Sequence, residues 1–329
     1  MKALLKKYYY AVRNNYYKLI YIKNCVNNFF IITDRLIKKE IKGDVPENSK
    51  ERLCIFAHYD KYERIDDYVV YCIQKLYEIG CEIVMVSTST SLLPGEIEKI
   101  KDFCSKIIIR KNIGIDFGSW KVGLSQIKDI SSYKEVIFVN DSIYGPFFDL
   151  SKIFKKMEES GADIWGITDS WQHRYHIQSY FMVFNKRMVN SDFFRDFWRE
   201  VRYFKNKNLI IKEYEIGLSQ KAIQSGYKID SYCKYKEAIN FMIKNCQNEF
   251  PYIQYITSLK TKLVTYNPSH FLWDILIKYF GCPFLKIELL RDNPVKISNL
   301  HEMQTVLKTA APDYKLDMII NHLREKRDR

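Results

Sequence analysis

Val136–Phe148 reads VIFVNDSIYGPFF. Four apolar residues, Val136 to Val139, run without a break into Asn140-Asp141-Ser142, and Gly145-Pro146 then interrupts the chain. A short continuous apolar run bounded by turn residues is the pattern of a strand buried on both faces of a parallel sheet. Polar side chains at the carboxyl end of such a strand stand where open α/β sheets bind ligands. A carboxylate there can hold a divalent cation against a diphosphate. Asn, Asp and Ser are also ordinary turn residues, so the triplet alone equally fits a strand that simply ends.

Outward from this segment, strand-like and helix-like stretches alternate. Gly43-Asp44-Val45-Pro46 breaks the N-terminal segment from the rest, and Leu53–Ala57 is a short apolar run closed by His58-Tyr59-Asp60. Ile65, Val69, Ile73 and Leu76 recur at helical spacing, with Asp66 and Asp67 favouring the helix start and Gly80 its end. Glu82–Ser87 reads as the second strand. Pro94 opens a helix whose apolar face is Ile97, Ile100 and Cys104. Lys106–Arg110 is the third strand, and a helical stretch around 119–129 leads into Val136–Val139. Ile153, Phe154 and Met157 mark a further helix stopped by Gly161. Asp163–Thr168 and Tyr180–Phe184 continue the sheet. Helices follow at 191–204, with Ser191 as N-cap, and at 213–225, separated by a Lys/Asn-rich loop at 205–212. This order predicts an α/β fold: a mostly parallel sheet flanked by helices with right-handed crossovers, and helical N-terminal and C-terminal extensions. The boundaries expected are a basic, aromatic helical extension at 1–45, an α/β domain at 46–235, and a helical C-terminal region at 236–329.

The 329 residues, 47% apolar and 28% charged, have a globular composition. No stretch approaches the ~18 consecutive apolar residues of a membrane span. Lys6, Lys7, Arg13 and Lys18 interrupt every apolar stretch at the N-terminus, so no signal-peptide core is present and a cytoplasmic setting is expected. Eight cysteines without a CxxC spacing read as buried free thiols. Of the net charge of +13, a balance of +8 lies in residues 1–43, where Tyr8, Tyr9, Tyr10, Tyr16, Tyr17 and Tyr21 interleave with the basic residues. That pattern suits peripheral contact with an anionic membrane surface at the inner face of the cell membrane. It also suits nucleic acid, a partner expected to be absent, or a solvated Lys-rich helix packed by its aromatic side. GxGxxG, GxxxxGK[ST] and GxSxG are all absent, which argues against a Rossmann dehydrogenase, a P-loop enzyme and an α/β-hydrolase.

The polar residues that close the strands are the candidate chemistry. His58-Tyr59-Asp60, Ser87 to Thr90, Asn112 and Asn140-Asp141-Ser142 end four strands, and in a parallel sheet these ends converge on one edge. Asp60 and Asp141 give that edge two carboxylates. Asn112–Gly123 (NIGIDFGSWKVG) offers Gly114, Gly118 and Gly123 for close backbone approach, Asp116 for a sugar hydroxyl and Lys121 for a phosphate. A loop and helix start capped by Asp116 or Ser119 is the competing reading. Asp169 follows another strand, ahead of His173 and His176, which could share a helical face and ligate metal. Trp171 and Tyr175 are aromatic faces suited to a sugar ring or to packing. Glu213 and Glu215 open a helix, where a carboxylate is a dipole partner or a general base. His270 lies in Asn267–His270, and Lys286 and Arg291 lie in FLKIELLRDNP, where they could neutralise a diphosphate.

The series IFAHYD, NIGIDFGSWKVGL, FVNDSIYGPF, WGITDS, YFMVFNK, NPSHFLW and FLKIELLRDNP resembles the rhamnan synthesis protein F family of bacterial polysaccharide glycosyltransferases. The resemblance runs from about residue 50 to about 295, leaving the N-terminal 45 residues and the C-terminal tail outside. It implies a GT-A-like glycosyltransferase of cell-wall, capsule or O-antigen assembly. The implied donor is a nucleotide-sugar such as dTDP-rhamnose, and the acceptor a glycan or lipid-linked glycan. Asn140-Asp141-Ser142 then stands where many GT-A enzymes carry a DXD metal motif, with Asn and Ser replacing the outer carboxylates. A divalent cation (Mg or Mn) on Asp141 would need a further ligand such as His270 or His176. The resemblance also places the donor among His58, Tyr59, Asp60, Asn112, Gly114, Asp116, Gly118, Lys121, Asn140, Asp141, Ser142, Lys286 and Arg291. Glu215, or Asp169, becomes the base for an inverting transfer. The departures at Asn140 and Ser142 also fit a non-catalytic nucleotide-sugar or carbohydrate-binding protein with a degenerate site.

Overall fold

In the computed structural model, which describes residues 17–327 apart from 24, 27, 29 and 262–264, the two apolar runs that lead into polar strand ends are neighbours. β2 (Arg52–His58) and β5 (Glu135–Asn140) pair parallel, from Arg52 opposite Glu135 to Ala57 opposite Asn140. On the other side of β2, β3 (Cys81–Ser87) and then β4 (Cys104–Arg110) continue the parallel run. Every residue of β3 and of β5 is buried. Both faces of the sheet are covered, which is why these strands show no polar alternation.

Beyond β5 the sheet becomes mixed. β9 (Phe181–Asn185) runs antiparallel between β5 and β7 (Ile164–Ser170), β10 (Ile229–Cys233) lies parallel to β7, and the two-residue β8 (His176–Ile177) pairs back on β7. With β1 (Ile37–Lys42) antiparallel on β4, the order is β1-β4-β3-β2-β5-β9-β7-β10. Six of the nine strands share one direction, and β1, β8 and β9 oppose it. The α/β class expected from the sequence is the class observed.

Alternate residues of β2 face two separate cores. Cys54 and Phe56 join α1 (Asp67–Glu78), α3 (Leu150–Ser160) and the C-terminal helices α6 (Tyr235–Asn245), α7 (Phe250–Lys260), α8 (Trp273–Phe280), α9 (Met303–Ala310) and α10 (Asp317–Arg327). Leu53, Ile55 and Ala57 join α2 (Ile115–Ser125), α4 (Asp192–Glu200) and α5 (Gly217–Gln224). The C-terminal region therefore shares the core of the sheet. It also contributes β11 (Leu285–Lys286), which pairs antiparallel with β6 (Ile143–Tyr144), setting Lys286 opposite Ile143.

Four expectations change. Residues 37–42, assigned to the helical extension, form β1 (Ile37–Lys42), antiparallel on β4. Its exposed Lys38, Lys39, Glu40 and Lys42 put charge on the sheet edge, which discourages pairing with another chain. Residues 17–23 are helical as expected, and residues 1–16 of that extension lie outside the described residues. The helix placed after Pro94 shrinks to Glu98–Lys101, and Cys104 opens β4 instead of closing the helix. The helix expected at 191–204 ends at Glu200, although Ser191 caps it by accepting from the Phe194 N–H. The Lys/Asn-rich stretch is helical from Lys207, where Asn206 accepts from the Leu209 N–H, and it continues as a π-helix (Ile211–Ile216) into α5.

At Gly123 α2 packs closely on β2. A Cβ there would stand 2.4 Å from Ile55 Cγ2. Gly123→Val should lift the helix from the sheet and cost about 2–3 kcal/mol. The measurement is the urea midpoint, expected to fall at unchanged slope.

Candidate active site

Three hydrogen bonds fix Asp141 just beyond the end of β5. Its N–H donates to the Ala57 carbonyl at 3.1 Å. Its Oδ2 accepts from the Tyr59 N–H at 2.7 Å, and its carbonyl accepts from the Tyr68 hydroxyl at 3.1 Å. Asn140 ties the triplet to α2: its Nδ2 donates to Asp116 Oδ2 at 2.8 Å, while its Oδ1 accepts from the Ser142 N–H and hydroxyl at 3.2 and 2.6 Å. An aspartate at 140 would point a second carboxylate at Asp116. The amide supplies a donor instead, which gives the departure from a DXD triplet a physical reason.

Asp116 is presented by a loop built around Arg110. That buried guanidinium donates to Ser119 Oγ and to the carbonyls of Lys111, Ile113 and Ile115. Gly114, at φ +82°, and Gly118 let this loop close on Tyr203, which an added Cβ would approach within 2.8 and 3.1 Å. Asp60 is buried and accepts from the N–H groups of Tyr62 and Arg64 at 2.7 and 3.3 Å, so it organises its own turn. His58 meets Ser87 Oγ at 3.0 Å beneath the edge, and Tyr59 leaves its ring exposed.

Burial, and then the neighbouring Asp116 and Asp60, pushes the Asp141 carboxyl up to about 8. Burial also raises Asp116, against the Asn140 amide and the cations Lys286, Arg110 and Lys207. Lys286 reaches this charge from a remote part of the chain, through the β6–β11 pairing and a 3.0 Å bond from the Ile287 N–H to the Ser142 carbonyl. Its ammonium lies 4.3 Å from the centre of the Tyr180 ring. Burial lowers its pKa, and Glu215, Asp116 and Glu288 oppose that shift. Glu288 gathers two further groups, Lys207 Nζ at 3.5 Å and His270 Nε2 at 3.9 Å. Burial, and then the Lys286 charge, brings His270 down to about 4.

Glu215 sits in the π-helix. Its Oε2 accepts from the hydroxyl and N–H of Ser179, and its Oε1 lies 3.4 Å from His176 Nε2. His176 Nδ1 meets the Arg174 carbonyl at 2.7 Å. With the Nδ1 proton donated there, facing Glu215 favours a second proton on Nε2. Burial works against that charge, but Glu215 outweighs it and raises the His176 pKa. In turn, burial raises Glu215 but His176, Ser179 and Lys286 hold it below the ordinary carboxylate value. Glu215 and His176 line a cleft of about 940 Å³ bounded by the β7–β8 turn, the π-helix and Asn267.

The expected residues thus divide. Tyr59, Asp60, Asp116, Asn140, Asp141 and Ser142 meet at the sheet edge, with His58 below it; Lys286 joins them and links them to Glu215. Asp169 does not line the cleft: its Oδ1 accepts from the Tyr235 N–H at 2.5 Å, and burial pushes it up to about 6. Lys121 is turned to the end of α4, donating to the carbonyls of Arg199 and Val201 at 2.8 and 2.6 Å. Arg291 is spent on Asp292, its sequence neighbour, at 2.7 Å. Asn112 is exposed and contributes no hydrogen bond to the cluster among the described residues. Gly114 and Gly118 serve the approach of Tyr203, and His270 faces Glu288 rather than completing a shell on Asp141. Sequence reasoning missed Lys207, Ser179, Tyr68 and Glu288. Glu288 lay inside FLKIELLRDNP and Lys207 inside the Lys/Asn-rich stretch at 205–212, whereas Ser179 and Tyr68 carried no signal.

The tail braces the same loop from below. The Tyr144 hydroxyl and His322 Nδ1 are 2.6 Å apart, and His322 Nε2 lies 3.3 Å from Asp66 Oδ2. The Tyr68 ring packs on both Tyr144 and His322, at 5.1 and 4.7 Å between centroids.

Among the described residues no three His, Cys, Asp or Glu side chains are grouped as a metal site. Asp116 adds to the rise of the Asp141 carboxyl, and a divalent cation whose remaining ligands come from outside the chain, as phosphate oxygens would, fits this pair by favouring its ionised form.

A family model described as rhamnan synthesis protein F matches residues 83–328. The match begins beyond β2 and α1 and runs through α10, so the tail lies inside it although the motif series stops near 295. Virulence protein VirA of Vibrio anguillarum is 32% identical over 281 residues, covering 77% of this chain and 84% of its own. A protein of Sinorhizobium fredii, y4gN, is 29% identical over 164 residues, covering 48% of this chain and 43% of its own. Among solved structures, the glycosyltransferase GlyE of Streptococcus pneumoniae is a loose likeness of fold, with a TM-score of 0.43 at 13% identity over 85% of this chain and 64% of its own.

The raised Asp141 carboxyl has a stability consequence. It titrates near 8 when folded and near 4 when unfolded, so the native state holds the extra proton. The stability this contributes is full below about pH 4 and is lost as pH rises through about 8. Asp141→Asn keeps an oxygen for the Tyr59 N–H and removes the charge. It should match the native chain in acid and exceed it at pH 9 by on the order of 1–3 kcal/mol. Urea midpoints at the two pH values give the comparison, and equal midpoints at pH 9 would refute it.

Proposed function

The chain belongs to the rhamnan synthesis protein F family, and from that membership we propose that it is a glycosyltransferase moving rhamnose or a similar sugar from a nucleotide-sugar donor to a growing cell-surface polysaccharide or lipid-linked acceptor. The observation that carries this reading is the line of ionisable groups from Asp141 and Asp116 through Lys286 to Glu215, which lines the cleft.

On this reading the donor diphosphate lies at the sheet edge formed by residues 46–235, and residues 236–329 complete the site by supplying Lys286. Asp141 and Asp116 would hold a magnesium or manganese ion, which supplies positive charge to the phosphates when bound. Lys286, with Lys207 near it, offsets the charge that develops on the departing β-phosphate oxygen. The acceptor hydroxyl enters from the cleft. Its oxygen attacks the anomeric carbon, the bond from that carbon to the diphosphate oxygen breaks with its electron pair going to the leaving group, and Glu215 takes the hydroxyl proton. Such a displacement inverts the anomeric centre. Glu215 is better placed than Asp169 because it faces the cleft. Its depressed pKa keeps it ionised at neutral pH, so proton transfer follows as positive charge develops on the attacking oxygen.

The setting proposed is cytoplasmic, with peripheral contact at the inner face of the cell membrane through residues 1–43. The basic excess there and the exposed Leu19, Ile22, Val26 and Phe30 support that contact. No helix among the described residues is long and apolar enough to cross a membrane.

Glu215→Gln keeps the bond from Ser179 and removes the base. Nucleoside diphosphate release in the presence of acceptor should fall by about 10²–10⁴, while donor binding, followed by calorimetry, is retained. Lys286→Met should slow release as well. Unchanged turnover in Glu215→Gln would exclude it as the base.

A further inference from the structure

The N-terminal helix does more than lie on the surface. At residues 17–23 it docks against the turn and π-helix that carry Glu215: Tyr21 meets Phe204 edge-on at 5.8 Å, and Lys212 Nζ stands 4.6 Å from the centre of the Tyr17 ring. Tyr17 is thereby a lining residue of the 940 Å³ cleft. The outward side of the same helix bears Leu19, Ile22 and Val26, all exposed.

The cleft's own chemistry is rich in carboxamides. Gln172, Gln178, Asn208, Gln220 and Asn267 line it. Two are fixed in place, since Gln178 Nε2 donates to Asn267 Oδ1 at 3.1 Å while Gln178 Oε1 accepts from Thr168. Gln220 Nε2 donates to the Tyr175 carbonyl at 2.7 Å, leaving its oxygen to accept. The side chains of Gln172 and Asn208 have no hydrogen-bond partner among the described residues. A carboxamide both donates and accepts, as a sugar hydroxyl does, so such a set matches the dense, alternating polarity of a saccharide edge. Tyr17 adds to this lining an aromatic ring, the kind of group that suits a sugar's C–H surface. The volume stands near the top of the ~300–1,000 Å³ range of small-molecule sites, more than one sugar residue needs.

We propose that this cleft is the subsite for an oligosaccharide acceptor and that Tyr17 of the N-terminal helix forms the wall on which an acceptor sugar stacks. The inference rests on the glycosyltransferase reading and adds to it: the segment proposed for membrane contact is also part of acceptor recognition. An acceptor held here presents a hydroxyl to Glu215, which lines the same cleft as Tyr17.

The test uses the full chain, a nucleotide-sugar donor and rhamnose-containing oligosaccharides of two to four residues as the acceptor probe, with nucleoside diphosphate release as readout. Tyr17→Ala should raise the acceptor KM about tenfold relative to the donor KM, the loss of one stacked ring, and Tyr17→Phe should restore it. The Gln172→Ala/Asn208→Ala double variant changes two side chains with no hydrogen-bond partners among the described residues, so it guards against a result due to misfolding, and it should raise the acceptor KM as well. If the wild-type chain turns over and neither Tyr17→Ala nor the double variant alters the acceptor KM, the cleft assignment is wrong and the glycosyltransferase reading stands. If the wild-type chain releases no nucleoside diphosphate from any nucleotide sugar tried, the glycosyltransferase reading itself fails.

Discussion

The in-register parallel pairing of β2 with β5 is the constraint on which the site depends. Because Ala57 stands opposite Asn140, the two chains leave the sheet side by side, and the Tyr59 N–H arrives at the Asp141 carboxylate. A slip of one residue would reverse which face each side chain meets. It would separate Leu53, Ile55 and Ala57 from α2, and Cys54 and Phe56 from α1 and α3. Two different cores, one on each side of the sheet, therefore enforce the register that positions a single carboxylate. This arrangement lets the fold hold three aspartates near one another at a cost that local hydrogen bonds alone would not offset.

The counter-charge comes from far along the chain. Asp116, Asn140 and Asp141 belong to consecutive crossovers, whereas Lys286 arrives through a two-residue strand and Lys207 through the start of the π-containing helix. The acidic half of the site follows from the sheet, and the basic half from segments packed onto it later in the sequence. Lys286 is half-buried, and the β6–β11 pairing sets its position. The tail adds the Tyr144–His322–Asp66 contacts beneath the same loop, which gives the extension of the family match to residue 328 a structural sense.

What could be read from the sequence was what a strand's periodicity and end residues record. Unbroken apolar runs gave β2, β3, β4 and β5 to within a residue or two, and the polar triplets that close them proved to share one edge. Less visible was everything decided by tertiary contact. Ile37 and Ile41 are only half-buried among four charged residues, so β1 was indistinguishable from a basic helix until β4 stood beside it. Lys121 looked like a phosphate ligand because it follows a glycine-rich loop, yet helix geometry turns it towards α4. Arg291 has an acidic neighbour to pair with, and Gly114 and Gly118 were small for the sake of Tyr203. Glu213 and Glu215 stood out together at a helix start, and only the family resemblance preferred Glu215; its ion pair with His176 spans 39 positions and leaves no mark in local sequence.

The π-helix at Ile211–Ile216 has a bearing on evolution. Helices of this kind arise from a one-residue insertion into an α-helix and persist mainly at functional sites, because the widened turn is unfavourable by itself. Removing the inserted residue would restore an ordinary helix and swing everything on one side of it by about 100°, taking Glu215 away from Ser179 or the later residues away from their packing. The length of this segment is thus a heritable mark. On the proposal that Glu215 is the base, relatives that have lost one residue here while keeping the strand-end aspartates would have lost that base's placement, a change recognisable as an alignment gap before any of their acidic residues had changed.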